Sequence, residues 1–201
     1  MKRTITVACR GIIGVVATAA AFGVAGCDDP FEDRANVEGA ATLYSLSRDA
    51  HLFRPSALSL LPGASLGTVI VEEINNPGWD VALAEEDGGF LLLPAGAVQA
   101  QGRAAIYMDT LHTFEERTEA PGDADVYNDS ASVPLRTDAV YVVRTRNVPG
   151  CDAYFAKLRA SEIDDAQGSV RFEYILNPNC AGTDLEPPPE DDDEDEDGGD
   201  G

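Results

Sequence analysis

Residues 154–176, YFAKLRASEIDDAQGSVRFEYIL, hold two runs of alternating character on either side of a polar turn. In the first, Tyr154, Ala156, Leu158 and Ala160 alternate with Phe155, Lys157 and Arg159; in the second, Val170, Phe172, Tyr174 and Leu176 alternate with Arg171, Glu173 and Ile175. Successive side chains of a strand point to opposite faces, so a period of two gives each run one apolar face. Gly168 suits a left-handed bulge position, and a short turn centred near Ala166 makes the pair a hairpin. That register sets Leu158 opposite Tyr174 and Arg159 opposite Glu173, so like faces meet and opposite charges face each other.

The same register carries Cys151 to roughly the level of Cys180, one residue off the ideal pairing, at an end where Pro178 stops the ladder. A disulfide there would clamp the open end of the hairpin. Upstream, apolar runs of strand length follow one another: 41–47, 67–74, 79–86, 89–94, 103–108 and 139–146. NNPG, EEDGG, PAG, EAPGD and NVPG separate them as turn signals. Short strands at such spacing, without a long segment of 3.6-residue period, indicate an antiparallel all-β domain, a sandwich or a barrel, over residues 40–182.

The first 27 residues differ in kind. Lys2, Arg3 and Arg10 precede the uncharged stretch from Gly11 to Gly26, and Cys27 follows. This is the layout of an export signal. At 16 residues the apolar stretch is shorter than the ~20 that a spanning helix needs, and no basic flank follows it. Val24-Ala25-Gly26-Cys27 resembles the bacterial lipoprotein signal, an aliphatic residue, two small ones and a cysteine. The resemblance implies removal of residues 1–26, lipid on Cys27, and a location in the cell envelope with the membrane reached through that lipid. The alternative is ordinary cleavage after Gly26, leaving Cys27 as a thiol. Cysteine accounting favours lipid: Cys9 leaves with the signal, and Cys151 and Cys180 remain as a pair for an oxidising compartment, with Cys27 left over.

Charge excludes other partners. Residues 1–27 carry three basic and no acidic side chains, 28–182 eleven against twenty-five, and 183–201 eleven acidic ones alone, for a net −22. No basic cluster exists after Arg10, so the counterion release that drives nucleic-acid binding is lacking, as is attraction to an anionic bilayer. Residues 27–39 read as a polar tether, and 183–201 as a disordered acidic tail too charged and proline-rich to bury anything. DEDEDG at 193–198 matches the opening of a calcium loop, but the chain ends at Gly201, before the late bidentate glutamate. It reads as solvated tail.

Catalytic signals are thin. Gly63-Ala64-Ser65-Leu66-Gly67 has the form G-x-S-x-G, which exposes a nucleophile where a strand turns into a helix. Here β-branched TVIVEE follows, so Ser65 is expected in a turn, with His51 and His112 as the only bases on offer. Two separated histidines and no C-x-x-C make no zinc set. Trp79, the single tryptophan, is expected as a core aromatic at a sheet edge. The sequence therefore points away from an enzyme.

The segments NPGWDVAL (76–83), TFEERTEAP (113–121), VYVVRT (140–145), YFAKLRASEID (154–164) and GSVRFEYILNP (168–178) together resemble the HmuY family of lipid-anchored haem-binding proteins. The resemblance implies an all-β envelope lipoprotein that holds haem iron between two axial side chains, typically histidines. This chain departs from that pattern, because its middle offers one histidine, His112, with Met108 nearby, and adds the cysteine pair. His112 and Met108 are the side chains left for haem iron. Two functions lead: a lipid-anchored module binding a hydrophobic ligand such as haem or an envelope protein, and a structural envelope protein presenting a β domain and an acidic tail to a partner; a serine hydrolase using Ser65 is the weaker alternative.

Overall fold

A computed structural model describes residues 33–71, 78–98 and 104–188. The expected signal over 1–26, Cys27, tether residues 28–32, and the tail from 189 onward with its DEDEDG stretch lie outside the described residues.

Period-two alternation produces the expected strands. They are β1 (Val37–Tyr44), β2 (Ala57–Ser59), β3 (Gly67–Val69), β4 (Val81–Glu86), β5 (Gly89–Pro94), β6 (Ala105–Asp109), β7 (Val133–Pro134), β8 (Val140–Arg144), β9 (Phe155–Asp164) and β10 (Ser169–Asn177). They pair antiparallel in two five-stranded sheets, ordered β1-β10-β9-β8-β6 and β3-β2-β4-β5-β7. Among the described residues no ladder joins the sheets, so the barrel is not closed. Leu43, Leu158, Phe172 and Leu176 of the first sheet pack against Leu58, Leu83 and Leu92 of the second. Each such side chain, wholly buried, contributes about 1.5–3 kcal/mol, which makes this interface the main store of stability.

The hairpin forms in the expected register, Leu158 opposite Tyr174 and Arg159 opposite Glu173, with Gly168 at φ +63° in its turn. The structure adds a bulge that the alternation did not show: Arg171 faces Glu162 while Phe172 faces Ala160, so Ser161 is extra. β2 and β7 were not expected. Three residues and two residues are too short for a periodic signal, and Pro134 argues against a strand except at an edge, which is where β7 lies.

The folded part is wider than 40–182. β1 takes Val37–Gly39 from the tether, because these residues ladder onto Tyr174, Ile175 and Leu176. At the other end Leu185 is fully buried, its N–H donating to the Thr118 carbonyl at 2.7 Å. It joins Ala120 and Tyr127 of the long 110–132 connection, which lies over Ala105, Tyr107, Val142 and Phe155 on the outer face of the first sheet. Trp79 does the equivalent on the second sheet, buried with Ala57, Ala82, Ala95 and Ala104.

Strand direction gives the sandwich two distinct ends. β1, β6 and β9 run one way and β8 and β10 the other, so the loops 45–56, 110–113, 135–139 and 165–168 gather at one, distal, end. The Asp87–Gly88 turn shares that end, since Leu46 N–H donates to Leu83 O at 2.9 Å and the Ser47 hydroxyl to Glu85 O at 2.8 Å. Residues 33–36, 145–154 and 178–186 gather at the opposite, entry, end.

Candidate functional site

The entry end is built from buried polar groups and one covalent link. Asp80, just before β4, is fully buried; its carboxylate accepts from Leu60 N (2.7 Å) and Arg146 N (2.9 Å), and Arg146 Nη1 lies 2.8 Å from Oδ2. Burial pushes the Asp80 carboxyl above its usual range, opposed by the Arg146 guanidinium and the two amides. Because Arg146 follows β8, the pair bolts one sheet to the other. Cys151 and Cys180 form the expected disulfide, with Cα atoms 5.6 Å apart. Arg34 N–H donates to Asn179 Oδ1 (2.8 Å), and Asn36 Nδ2 to Glu186 O (2.7 Å), so the incoming and outgoing chain are tied together here.

The distal end is organised around Asp109, the last residue of β6. Side chains alternate across β6, so Met108 points into the inter-sheet core while Asp109 points to the outer face. The Asp109 carboxylate is fully buried and accepts from Leu111 N (2.8 Å), His112 Nδ1 (2.9 Å) and the Arg117 guanidinium through Nε (2.7 Å) and Nη2. Burial acts to raise its pKa, but the Leu111 amide, Arg117 and His112 outweigh it and hold the carboxyl below the usual range. The carboxylate can only accept, so His112 must carry its proton on Nδ1, and Nε2 is turned away from the knot. The side chain of His112 is half exposed, beside a hollow of about 390 Å³ lined by Thr113, Thr137 and Asp138 among others.

A second buried polar knot holds the 45–56 loop. His51 is buried, its Nδ1 3.1 Å from Ser45 O and its ring edge-on to Tyr44. Arg54 stacks on the same Tyr44 ring, its guanidinium carbon 4.5 Å from the ring centre. Tyr44 N–H donates to Pro55 O, which closes the loop at its base. Its tip, Leu52 and Phe53, stands in solvent at 65% and 87% exposure.

On the outer face of the first sheet, Lys157 clamps the 113–117 strap. Its ammonium donates to Phe114 O (2.6 Å) and Arg117 O (2.9 Å), and burial lowers its pKa. Phe114 sits under both Lys157 and Arg159, each 4.6 Å from the ring centre, and Arg159 reaches Glu115 and Glu173. An open groove of about 440 Å³ lies between this strap and β1.

The residues singled out for chemistry are kept apart. Ser65 closes a short 3-10 turn and β3 follows, not a helix. That turn belongs to the entry end, because β2 runs antiparallel to β4, whereas His51 and His112 are distal. Haem, implied by the HmuY resemblance, asks for two axial side chains on one iron. His112 and Met108 do not fit that demand, since Met108 packs against the inter-sheet core and His112 is bound to Asp109 on the opposite face. Among the described residues no group of three or more His, Cys, Asp or Glu is arranged to hold a metal ion.

Set against protein-family models, curated proteins and solved structures, the chain matches none. Sequence reasoning missed Asp109, Arg117, His51 as an anchor and the Asp80–Arg146 pair. Asp80 and Asp109 did carry a signal, an acidic residue directly beside an apolar strand run, but nothing in the sequence names a partner 66 residues away.

Proposed function

We propose that this protein is a lipoprotein of the bacterial cell envelope, attached through Cys27, whose β domain is a non-enzymatic interaction module. The observation that supports this best is the polarity of the sandwich. The chain enters and leaves at one end, tied by Arg34–Asn179, Asn36–Glu186 and the disulfide, while the side chains most open to contact stand on the loops of the other. A lipid on Cys27 would hold the domain by its entry end and present the distal loops away from the point of attachment. Several acyl chains at ~0.8 kcal/mol per buried methylene make such an anchor stable.

The separation of Ser65 from both histidines supports the non-enzymatic part. Haem is not included in the proposal, because the two side chains available for it face opposite ways. A titration of the protein with haem is expected to give no Soret shift that depends on His112 or Met108. Mass spectrometry of the N-terminal peptide tests the anchor. We expect an acylated Cys27 and release of a Cys27→Ser variant from the membrane fraction; an unmodified thiol at Cys27 in the mature protein overturns the reading.

A further inference from the structure

We propose that the distal end is a docking face for a protein partner whose surface carries apolar pockets in a basic rim, with Phe53 and Leu111 as the inserted anchors. This deepens the reading above and rests on it for orientation.

Among the described residues the three most exposed large apolar side chains are Phe53 (87%), Leu111 (85%) and Leu52 (65%), and all three lie at this one end. Each tip is held on a rigid base. Asp109 fixes the backbone of Leu111 and His112 through both amides, and buried His51 with the Tyr44–Arg54 stack fixes the Leu52–Phe53 tip. A buried carboxylate and a buried imidazole thus underlie three apolar side chains that stand in water. That arrangement is costly for folding alone and favourable for binding, because a preorganised anchor loses little entropy on docking. Buried aromatic and aliphatic anchors are the side chains that carry most interface energy.

Charge selects the occupant. The loops 45–56, 110–113, 135–139 and 165–168, the Asp87–Gly88 turn and the strand ends Glu86 and Asp164 hold three arginines against six carboxylates: Asp49, Glu86, Asp87, Asp138, Asp164 and Asp165. Two of the arginines are already engaged, Arg48 with Glu85 at 2.8 Å and Arg136 with Asp138 at 2.7 Å. The tips thus rise from an acidic rim. A second copy of the chain would bring the same sign against itself, and an anionic bilayer would repel it. A basic, apolar-pocketed protein surface is complementary on both counts, and the rim would steer its approach.

The test is panning of a random peptide library against the full chain, followed by titration of selected peptides against variants. Sequences combining Lys or Arg with aliphatic or aromatic residues are expected. Their affinity is expected to fall by about tenfold or more in Phe53→Ser, less in Leu111→Ser, and with rising salt. Val126→Ser, which removes an exposed side chain elsewhere on the 110–132 connection, is expected to leave it unchanged. An unaltered denaturation midpoint in each variant shows that the fold is intact. Peptides indifferent to Phe53→Ser, or none enriched, overturn the proposal. So does Phe53-dependent sedimentation with phosphatidylcholine vesicles, or Phe53-dependent self-association. None of these outcomes bears on Cys27, whose acylation is measured separately.

Discussion

At the entry end of the sandwich, Asp80 and Arg146 join the two sheets, and the Cys151–Cys180 bridge sits beside the tied chain termini. At the distal end Asp109 and His51 are buried just as deliberately, yet what they hold in place is exposed: Leu111 on one turn, Leu52 and Phe53 on another. The same device, a buried polar group satisfied by backbone amides or carbonyls, fixes core contacts at one end and exposed loop tips at the other. A buried polar group therefore signals a fixed backbone, whether the residues it fixes are buried or exposed.

The sharpest way to break the contrast is at the entry end. Arg146→Ala leaves Asp80 buried without its counter-charge, and we expect a loss of about 3–5 kcal/mol by chemical denaturation. Removing the bridge with Cys151→Ser and Cys180→Ser opens a 29-residue separation, for which chain entropy gives about 3–4 kcal/mol. At the distal end Asp109→Asn keeps the shape but weakens the five hydrogen bonds that the carboxylate accepts, and about 2 kcal/mol is expected. Hydrogen exchange should rise locally at Leu111 and His112 and little at the entry end.

Acid offers a milder probe of the same knot. The folded carboxyl of Asp109 lies below its usual value, so its contribution is complete above the unfolded pKa of about 3.9 and is lost as pH falls through the folded value. Amide protection of Leu111 should therefore survive at pH 5 and fade only below about pH 4. Smallest of all, Phe53→Ser should change stability by no more than about 0.5 kcal/mol, because its side chain touches mainly solvent. A large loss there would mean that the tip is part of the core.

Much of the first sheet was legible because β9 and β10 are long and half-buried, and period two over nine or ten residues leaves one register. The second sheet was less so. β2 is buried at all three positions and shows no alternation, and β7 has only two residues. Leu185 was read as tail because the acidic, proline-rich composition around it outweighs one apolar residue. Its burial depends on Thr118 and Ala120, which reach it only after the strap has crossed the sheet.

By itself the sequence determined the all-β class, the hairpin register and the Cys151–Cys180 pairing, since each follows from local alternation and from counting cysteines. Only the tertiary structure decided which side chains share a site. It set Met108 and Asp109, the partner of His112, on opposite faces of one strand, put Ser65 at the far end from both histidines, and brought Phe53 and Leu111 to the same end. The physical reason is direction. Period and composition say which face of a strand is buried, whereas the end at which a loop emerges depends on how the strands are ordered and oriented in the sheet.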